Sequence, residues 1–588
     1  MGALHMETIR RGSRGPLVAR WQEFLGNQNL QNHPGAADGI FGAKTAAATR
    51  EFQQRHGLVA DGIAGPATWA RAQALGFGSG GVGRRRECKI HPAIGIARLG
   101  NSTSEFFIGP EAPEVLPLPG GPYKDAGGAI KRQGARFRIY KYEYDSNGQL
   151  EDVREVTAAE AEIVWTVHLC NKKAAAGVFP PRTDGALRNS DVTNRSSLII
   201  DAGAKTISGT GQSRHLSGSF LGTPVDLGDL QTDSDGHLIV VGGFGTSRSV
   251  PAGMPLTDFA NNGRWHDDTS DGPVSAIVRL SGEAEPVQAE GAWVIVAPPD
   301  FGPSIANITT LYDVVLHVAM QLDSNFHIST QVSFTRDIYP ILARTQHMMW
   351  VSPSARAGDG PRHNFLSSPR FDRLADNNAS ARSAREGIFN RLRDPSSTAT
   401  GLTNMPLLNT GVDPGNPTGP KMPARLTPLQ YEYMGRWSMG LFDADWPGSP
   451  PAARTLESTP EDERPAALER AALDACVGDP FYPGIEAGFV MARLDTYDRP
   501  FRVASSKSAG DLTQQMAVPW QADFIACGIR WWPGQRPNSV RRGGAWESWT
   551  PPGWTGTPVS YGEMVQNWWR LGFIVEDGNE FVEKERNI

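Results

Sequence analysis

Two copies of one pattern stand near the start of the chain, ADGIFGAKT at 37–45 and ADGIAGPAT at 60–68, 23 residues apart. A repeat at so short an interval demands a small, locally closed unit, because each copy must turn the chain and start the next element from the same few residues. In each, Asp-Gly supplies a tight turn, the second glycine stands at the mouth of a helix and the threonine falls in its first turn. Pro66 suits a helix start, where its missing N–H costs nothing. Leu17, Trp21, Phe24 and Leu25 mark an earlier helix at i, i+4, i+7 and i+8, and Ala48 and Phe52 mark another that Gly57-Leu58 stops. The pattern predicts three small helices sharing one core over residues 8–75. GFGSGGVGRRRE at 76–87 then has the composition of a flexible linker, so a domain boundary is expected there.

The remaining residues, 88–588, must form at least one large domain, since a chain of 588 residues exceeds what a single core supports. With 65 Gly and 44 Pro it is rich in turns, yet 39% hydrophobic and 20% charged residues are the proportions of a folded protein. A net charge of −6 gives no global basic surface, which argues against nucleic acid as the main partner. Four cysteines, Cys88, Cys170, Cys476 and Cys527, are too few for a disulfide framework and lack Cys-x-x-Cys zinc spacing. No apolar run reaches the length of a membrane span, and MGALHM reads as an expression remnant rather than a leader.

RFRIYKYEY (136–144) alternates with period two, and HLIVVGGFG (237–245) and AWVIVAPP (292–299) are apolar runs of strand length. Helical patterns are expected at 158–169, around 311–321, at 460–476 and at 561–573. The fold class expected is α+β: a loop-rich large domain with a β-sheet core and peripheral helices, behind the three-helix module.

PWQADFIACGIRWWPGQRP at 519–537 is the densest chemical stretch. Residues 520–527 carry no helix breaker, so Asp523 and Cys527 would lie on one helical face, one turn apart. Four and five residues on come Trp531 and Trp532, followed by the turn-forming Pro533-Gly534. Arg536 could hold a substrate carboxylate bidentately or bond loop carbonyls. The acidic WHDDTSDGP segment, with His266, Asp267, Asp268 and Asp271, fits either a hard cation or turn-capping hydrogen bonds, and no metal is assigned to it.

Residues 8–75, through WQEFL, ADGIFG, EFQQRHGL and DGIAGPATW, resemble the peptidoglycan-binding type 1 domain. That likeness implies a wall-directed module and a secreted, periplasmic or cell-wall location. Beyond it, KIHPAIGIARLGNS (89–102), GRWHDDTSDGPVSA (263–276), FTRDIYPILAR (334–344), CVGDPFYPGIEAG (476–488), the 519–537 stretch and MVQNWWRLGFI (564–574) occur in that order. Together these resemble the LodA-like quinoproteins, the L-lysine ε-oxidase and glycine oxidase family with a cysteine tryptophylquinone cofactor. The resemblance implies a thioether between Cys527 and a tryptophan oxidised to an ortho-quinone. Trp532 is preferred, Trp531 is its neighbour, and Trp568 or Trp569 is the alternative. It implies that a primary amine condenses with a quinone carbonyl and that Asp523, its pKa raised by apolar surroundings, removes the proton from the adjacent carbon. Dioxygen then reoxidises the cofactor, giving an aldehyde or oxo acid, ammonia and hydrogen peroxide. Cys476 and Phe244 are expected to wall the substrate pocket, and the two point to different substrates, lysine and a smaller amino acid. A flavoprotein that matures the cofactor and a homo-oligomer are also implied. The rival expectation is a non-enzymatic wall-binding protein whose Trp546, Trp549 and Trp554 stack on sugars, and an unmodified precursor is a third.

Overall fold

The computed structural model describes residues 8–26, 28, 30–75, 77, 85–145, 148–179, 181–324, 326, 331–359, 371–397, 405–406, 424–479, 487–526, 534–550 and 560–587. They fall into two compact units, Met1–Glu87 with Tyr142–Val153, and Cys88–Lys141 with Arg154–Ile588.

In the first unit, helices Pro16–Gly26, Ala43–Arg55 and Pro66–Ala74 enclose Trp21, Leu25, Phe41, Phe52 and Trp69, as the repeat predicts. What the repeat encodes is a pair of identical polar anchors. Gln22 Nε2 donates to Asp38 Oδ1 (2.9 Å), the Ile40 carbonyl (3.1 Å) and Thr45 Oγ1 (3.1 Å), while its Oε1 accepts the Gly39 N–H (3.0 Å). Gln53 repeats this with Asp61 Oδ1 (2.7 Å), the Ile63 carbonyl (3.0 Å), Thr68 Oγ1 (3.0 Å) and the Gly62 N–H (2.8 Å). Each Asp-Gly-Ile turn and helix-opening threonine is thereby fastened to a buried amide, which satisfies backbone groups the turn would leave bare. At the C-terminus of Ala43–Arg55, Gly57 takes φ +68° and the Leu58 N–H returns to the Gln53 carbonyl (2.8 Å), a glycine stop of the expected kind. Of the residues read as linker, Arg85–Glu87 already belong to the strand Arg85–His91, and 78–84 lie outside the described residues.

The second unit is α+β around a nearly closed sheet. Its path runs Ile200–Ser208, Ala161–Asn171, Ser270–Leu280, Ala292–Ala297, Ile94–Arg98, Arg132–Tyr144, Leu238–Gly242, Thr223–Thr232, Ser213–Phe220. Adjacent strands pair antiparallel except Ala292–Ala297 with Ile94–Arg98, which run parallel. The two end strands meet: a Cβ at Gly218 would come within 2.7 Å of the Asp201 nitrogen. The parallel pair is buried along its whole length, as strands covered on both faces are. Ala97, Val294 and Val296 face the main core, while Ile94, Ile96, Trp293 and Ile295 pack on Leu311, Val315 and Val318 of the helix Leu311–Leu322. That helix opens with a capping box, Thr310 Oγ1 taking the Asp313 N–H (3.3 Å) and Asp313 Oδ2 the Thr310 N–H (2.8 Å).

Two expectations fail. Residues 158–169 hold no helix: 158–160 turn and the rest belongs to the strand Ala161–Asn171. The alanines and glutamates suggested a helix, but Ile163, Trp165, Val167 and Leu169 alternate with more exposed residues and pair with strands on both sides. At 561–573 the helix is Tyr561–Asn567, followed by one 3₁₀ turn, Trp568–Arg570, and the strand Phe573–Asp577. Gly572 and the β-branched run after it end the helical pattern.

Candidate functional site

The helix Trp520–Ala526 forms where the sequence places it, and Asp523 on it is completely buried. Cys527, Trp531 and Trp532 lie outside the described residues, as does Glu486. The helix is seated by the acidic segment. Asp267 Oδ2 takes the Trp520 N–H (3.0 Å) and the Lys173 ammonium (2.7 Å), which also donates to the Ala517 carbonyl (2.8 Å). Lys173 and Asp267 have no solvent exposure at all. Asp267 Oδ1 accepts from Asn171 Nδ2 (3.1 Å) and Thr269 Oγ1 (2.8 Å). Asp271 collects Thr513 Oγ1 (2.6 Å), the Thr513 N–H (2.8 Å) and Trp293 Nε1 (3.0 Å). The acids at 267 and 271 thus fasten 512–520 to the sheet, the capping alternative rather than a cation cage. Burial pushes Asp271 up to about 6 despite these donors.

Asp268 faces elsewhere. Its Oδ2 takes the Thr246 N–H (3.1 Å) of the turn that follows Leu238–Gly242, its Oδ1 finds no hydrogen-bond partner among the described residues, and burial pushes its carboxyl up to about 7. His266 beside it is buried with neither ring nitrogen bonded, and desolvation lowers it to about 4. In that turn Phe244 lies half-buried under the Arg132 guanidinium, 4.5 Å from the ring centre. Gly245, at φ +70°, abuts the indole of Trp568: a Cβ there would stand 2.2 Å from Cζ2. Trp568 in turn meets Trp520 edge to face at 5.2 Å. Tyr561, at the start of the helix before Trp568, has its hydroxyl pushed up by burial and by the charges of Asp258 and Asp523, which puts it in the field of the buried acid. Trp569 turns its Nε1 to the Gln566 carbonyl (3.1 Å) on the outside.

Arg536 bonds the protein itself. Its Nε donates to the Phe524 carbonyl (2.6 Å) and its two Nη to Pro537, Asn538 and Thr550. Phe524 and Arg536 are thereby bonded to each other across 12 positions of sequence. Just past that segment, Gly534 and Gln535 line a cavity of about 390 Å³ with Asp300, Ser304 and Cys476. Cys476 is buried and its Sγ accepts from Arg98 Nη2 (3.4 Å). Gln535 Oε1 and Ser304 Oγ are buried with no hydrogen-bond partner among the described residues. Phe244 is not part of this wall, so the structure does not bring Cys476 and Phe244 together around one cavity. His91 is held by Glu469 (2.7 Å), an arrangement that ties the first strands to the helix Arg464–Asp474. The sugar-stacking expectation fails for Trp549, which is fully buried with Nε1 on the Gly572 carbonyl (3.1 Å), and Arg356 already covers the Trp546 ring at 3.5 Å. Trp554 lies outside the described residues.

Sequence reasoning missed Lys173, Gln521 and Trp520. Gln521 was detectable as the polar residue beside the acid in WQADF, and nothing in KKAAAG singles out which lysine is buried.

Residues 91–296 match the family described as L-lysine epsilon oxidase N-terminal, 408–549 its C-terminal domain, and 14–71 the peptidoglycan binding domain. L-lysine 6-oxidase of Marinomonas mediterranea is 27% identical over 554 residues, covering 75% of this chain and 71% of that one. The zinc D-Ala-D-Ala carboxypeptidase of Streptomyces albus G is 41% identical over 68 residues, 12% of this chain and 27% of that one. The crystal structure of the L-Lys ε-oxidase from Marinomonas mediterranea, and that of its Schiff base intermediate with L-Lys, each superpose with a TM-score of 0.67 at 25% identity, covering 85% of this chain and 95% of theirs. With both family domains in order, a matching fold and the acid-bearing helix set against a buried indole, the chain belongs to the L-lysine epsilon oxidase family and carries a peptidoglycan binding domain ahead of it.

Proposed function

We propose that this protein is an oxidase for the primary amine of an amino acid, lysine ε-amine or glycine type, working with a cysteine tryptophylquinone formed by Cys527 and a tryptophan of its own chain. The observation that supports it most is the packing of one buried indole, Trp568, against the helix that carries Asp523 and ends one residue before Cys527. The seat is built for a bare indole edge: Gly245, with no side chain, packs its backbone against the ring where any Cβ would collide, and Trp568 is 3% exposed. We therefore prefer Trp568 as the modified residue, with Trp532 or Trp531 as the alternative a peptide map would distinguish. The quinone supplies an electrophilic carbonyl and a sink for two electrons.

The chain's own residues do the rest. Asp523, enclosed between Trp520, Phe524 and the Tyr561 helix, takes the proton from the carbon that bears the amine. Full burial excludes competing water and keeps its electrostatic effect strong. The cavity at Cys476, of about 390 Å³ and lined by two polar atoms without a partner among the described residues, has room for the rest of the substrate. Dioxygen as oxidant, hydrogen peroxide and ammonia as products, a flavoprotein for maturation, a homo-oligomer and a cell-wall location reached through residues 8–75 complete the proposal.

The test is peroxide release over a panel of lysine, glycine and wall fragments, alongside intact mass and quinone-specific staining. Wild type should stain and turn over at least one amine, and Asp523→Asn should lose about 10²- to 10⁴-fold in kcat with the stain retained. Neither stain nor turnover from matured protein would end the proposal.

A further inference from the structure

The turn at 243–246 is gripped from several directions, more tightly than a surface connection requires. From below, Asp268 Oδ2 takes the Thr246 N–H, and Gly243 passes so close that a Cβ there would lie 2.6 Å from the same oxygen. From the side, Gln521 Nε2 donates to the Gly245 carbonyl (3.0 Å) and Gln521 Oε1 accepts from Ser247 Oγ (2.7 Å). Arg132 holds Phe244 while bonding Asp229 (2.9 Å) and the Gly242 carbonyl (3.2 Å). The remaining side is Trp568.

Gln521 has no exposure and Asp268 only 1%. Burying a carboxyl with one oxygen unpartnered costs about 1 to 3 kcal/mol, which an apolar residue of similar shape would avoid. Stability alone does not favour that choice. Gln521 also precedes Asp523 by two residues on the same helix, so the helix that presents the acid is bonded directly to the turn that meets the indole.

We infer that Gln521 and Asp268 are positioning residues that clamp the 243–246 turn and thereby set the seat of the Trp568 ring relative to Asp523. This rests on Trp568 being the modified residue. Displacing a reacting group by about 1 Å costs on the order of 10²-fold in rate, so the clamp acts on turnover more than on substrate affinity.

The experiment uses the matured holoenzyme and expresses turnover per mole of quinone. Gln521→Ala and Asp268→Ala should each lower kcat by about tenfold or more with KM changed less than about twofold, and shift the quinone absorption band. Asp268→Asn, whose amide oxygen still accepts the Thr246 N–H, should recover most of that loss. Because it is isosteric, it also remains informative if Asp268→Ala fails to fold. Turnover per quinone within about twofold of wild type in Gln521→Ala, whatever its melting temperature, overturns the clamp. A wild-type peptide map with the quinone on another tryptophan overturns the reading of the site and the clamp with it. Quinone on Trp568 with unchanged variant turnover overturns the clamp alone.

Discussion

Replacing Lys173 by methionine isolates the buried charge that seats the Trp520–Ala526 helix. Methionine matches the lysine stem in length and helps fill the space, so little of the effect is a cavity. It removes two hydrogen bonds, to Asp267 Oδ2 at 2.7 Å and to the Ala517 carbonyl at 2.8 Å. It also leaves a carboxylate without solvent exposure whose directly bonded ammonium is gone, with the buried Arg188 guanidinium still in its field. Removing one partner of such a pair costs about 3 to 5 kcal/mol. The remaining donors, Asn171, Thr269 and the Trp520 N–H, soften the penalty towards the lower figure. At about 3 kcal/mol the folded-to-unfolded ratio falls more than 10²-fold. The urea midpoint of the larger unit should drop by that amount divided by its m-value, with m unchanged. Lys173→Met/Asp267→Asn removes the orphaned charge yet keeps an oxygen for the Trp520 N–H, so the pair should recover at least half of the loss. A single variant within about 1 kcal/mol of wild type, or a double variant no better than the single, would refute the reasoning.

Three further outcomes are expected. Asp268 and Asp271 ionise at about 7 and about 6 in the fold, against 3.8 ordinarily. The native state therefore keeps protons the unfolded chain has released, and stability falls as pH rises from about 4 to about 7; Asp268→Asn should flatten that fall in urea midpoints taken across the window. Gln53→Ala strips the second repeat of its anchor, so hydrogen exchange over 8–75 in the full chain should quicken by the equivalent of about 2 to 4 kcal/mol, with exchange in the second unit unchanged. Cys476→Phe intrudes on the cavity beside Gln535, and KM for the larger amines should rise about tenfold while kcat per quinone changes much less.

Elements set by local pattern were legible in the sequence: the three small helices, the strands at 136–144 and 292–297, the capping-box helix after Thr310 and the short helix under Asp523. Each follows from spacing or from a cap within a few residues. The strand Ala161–Asn171 was not, because Ala158 to Glu162 has helical composition and only the partners at 204–208 and 274–280 decide between the periods. The same limit hid the clamp. Gln521 and Gly245 are 276 residues apart and Asp267 and Lys173 are 94 apart, and nothing local in either pair announces the other. The family motifs locate the acid and its helix, and proximity in the chain points to Trp532, which lies outside the described residues, while the contact of Trp568 with Trp520, 48 residues apart, is one that no local pattern announces.

That distance explains why the acidic motif is so dense. Asp267, Asp268 and Asp271 come from one short stretch at the start of the strand Ser270–Leu280, Asp271 lying on the strand and the other two just before it, and each fastens a different piece of distant chain: the start of the acid-bearing helix, the turn beneath the indole and the 512–513 segment. A site assembled from the acid's helix, a turn nearly three hundred residues earlier and an indole near the end of the chain needs one rigid element in contact with most of it. A strand joined to neighbours on both sides serves, because it cannot shift without breaking a ladder. Two of the three carboxyls, Asp271 and Asp268, are driven up to about 6 and 7 by their burial, which costs stability near neutral pH. Of the three, Asp267 acts on the Asp523 helix directly, because it takes the N–H of Trp520 at that helix's first residue.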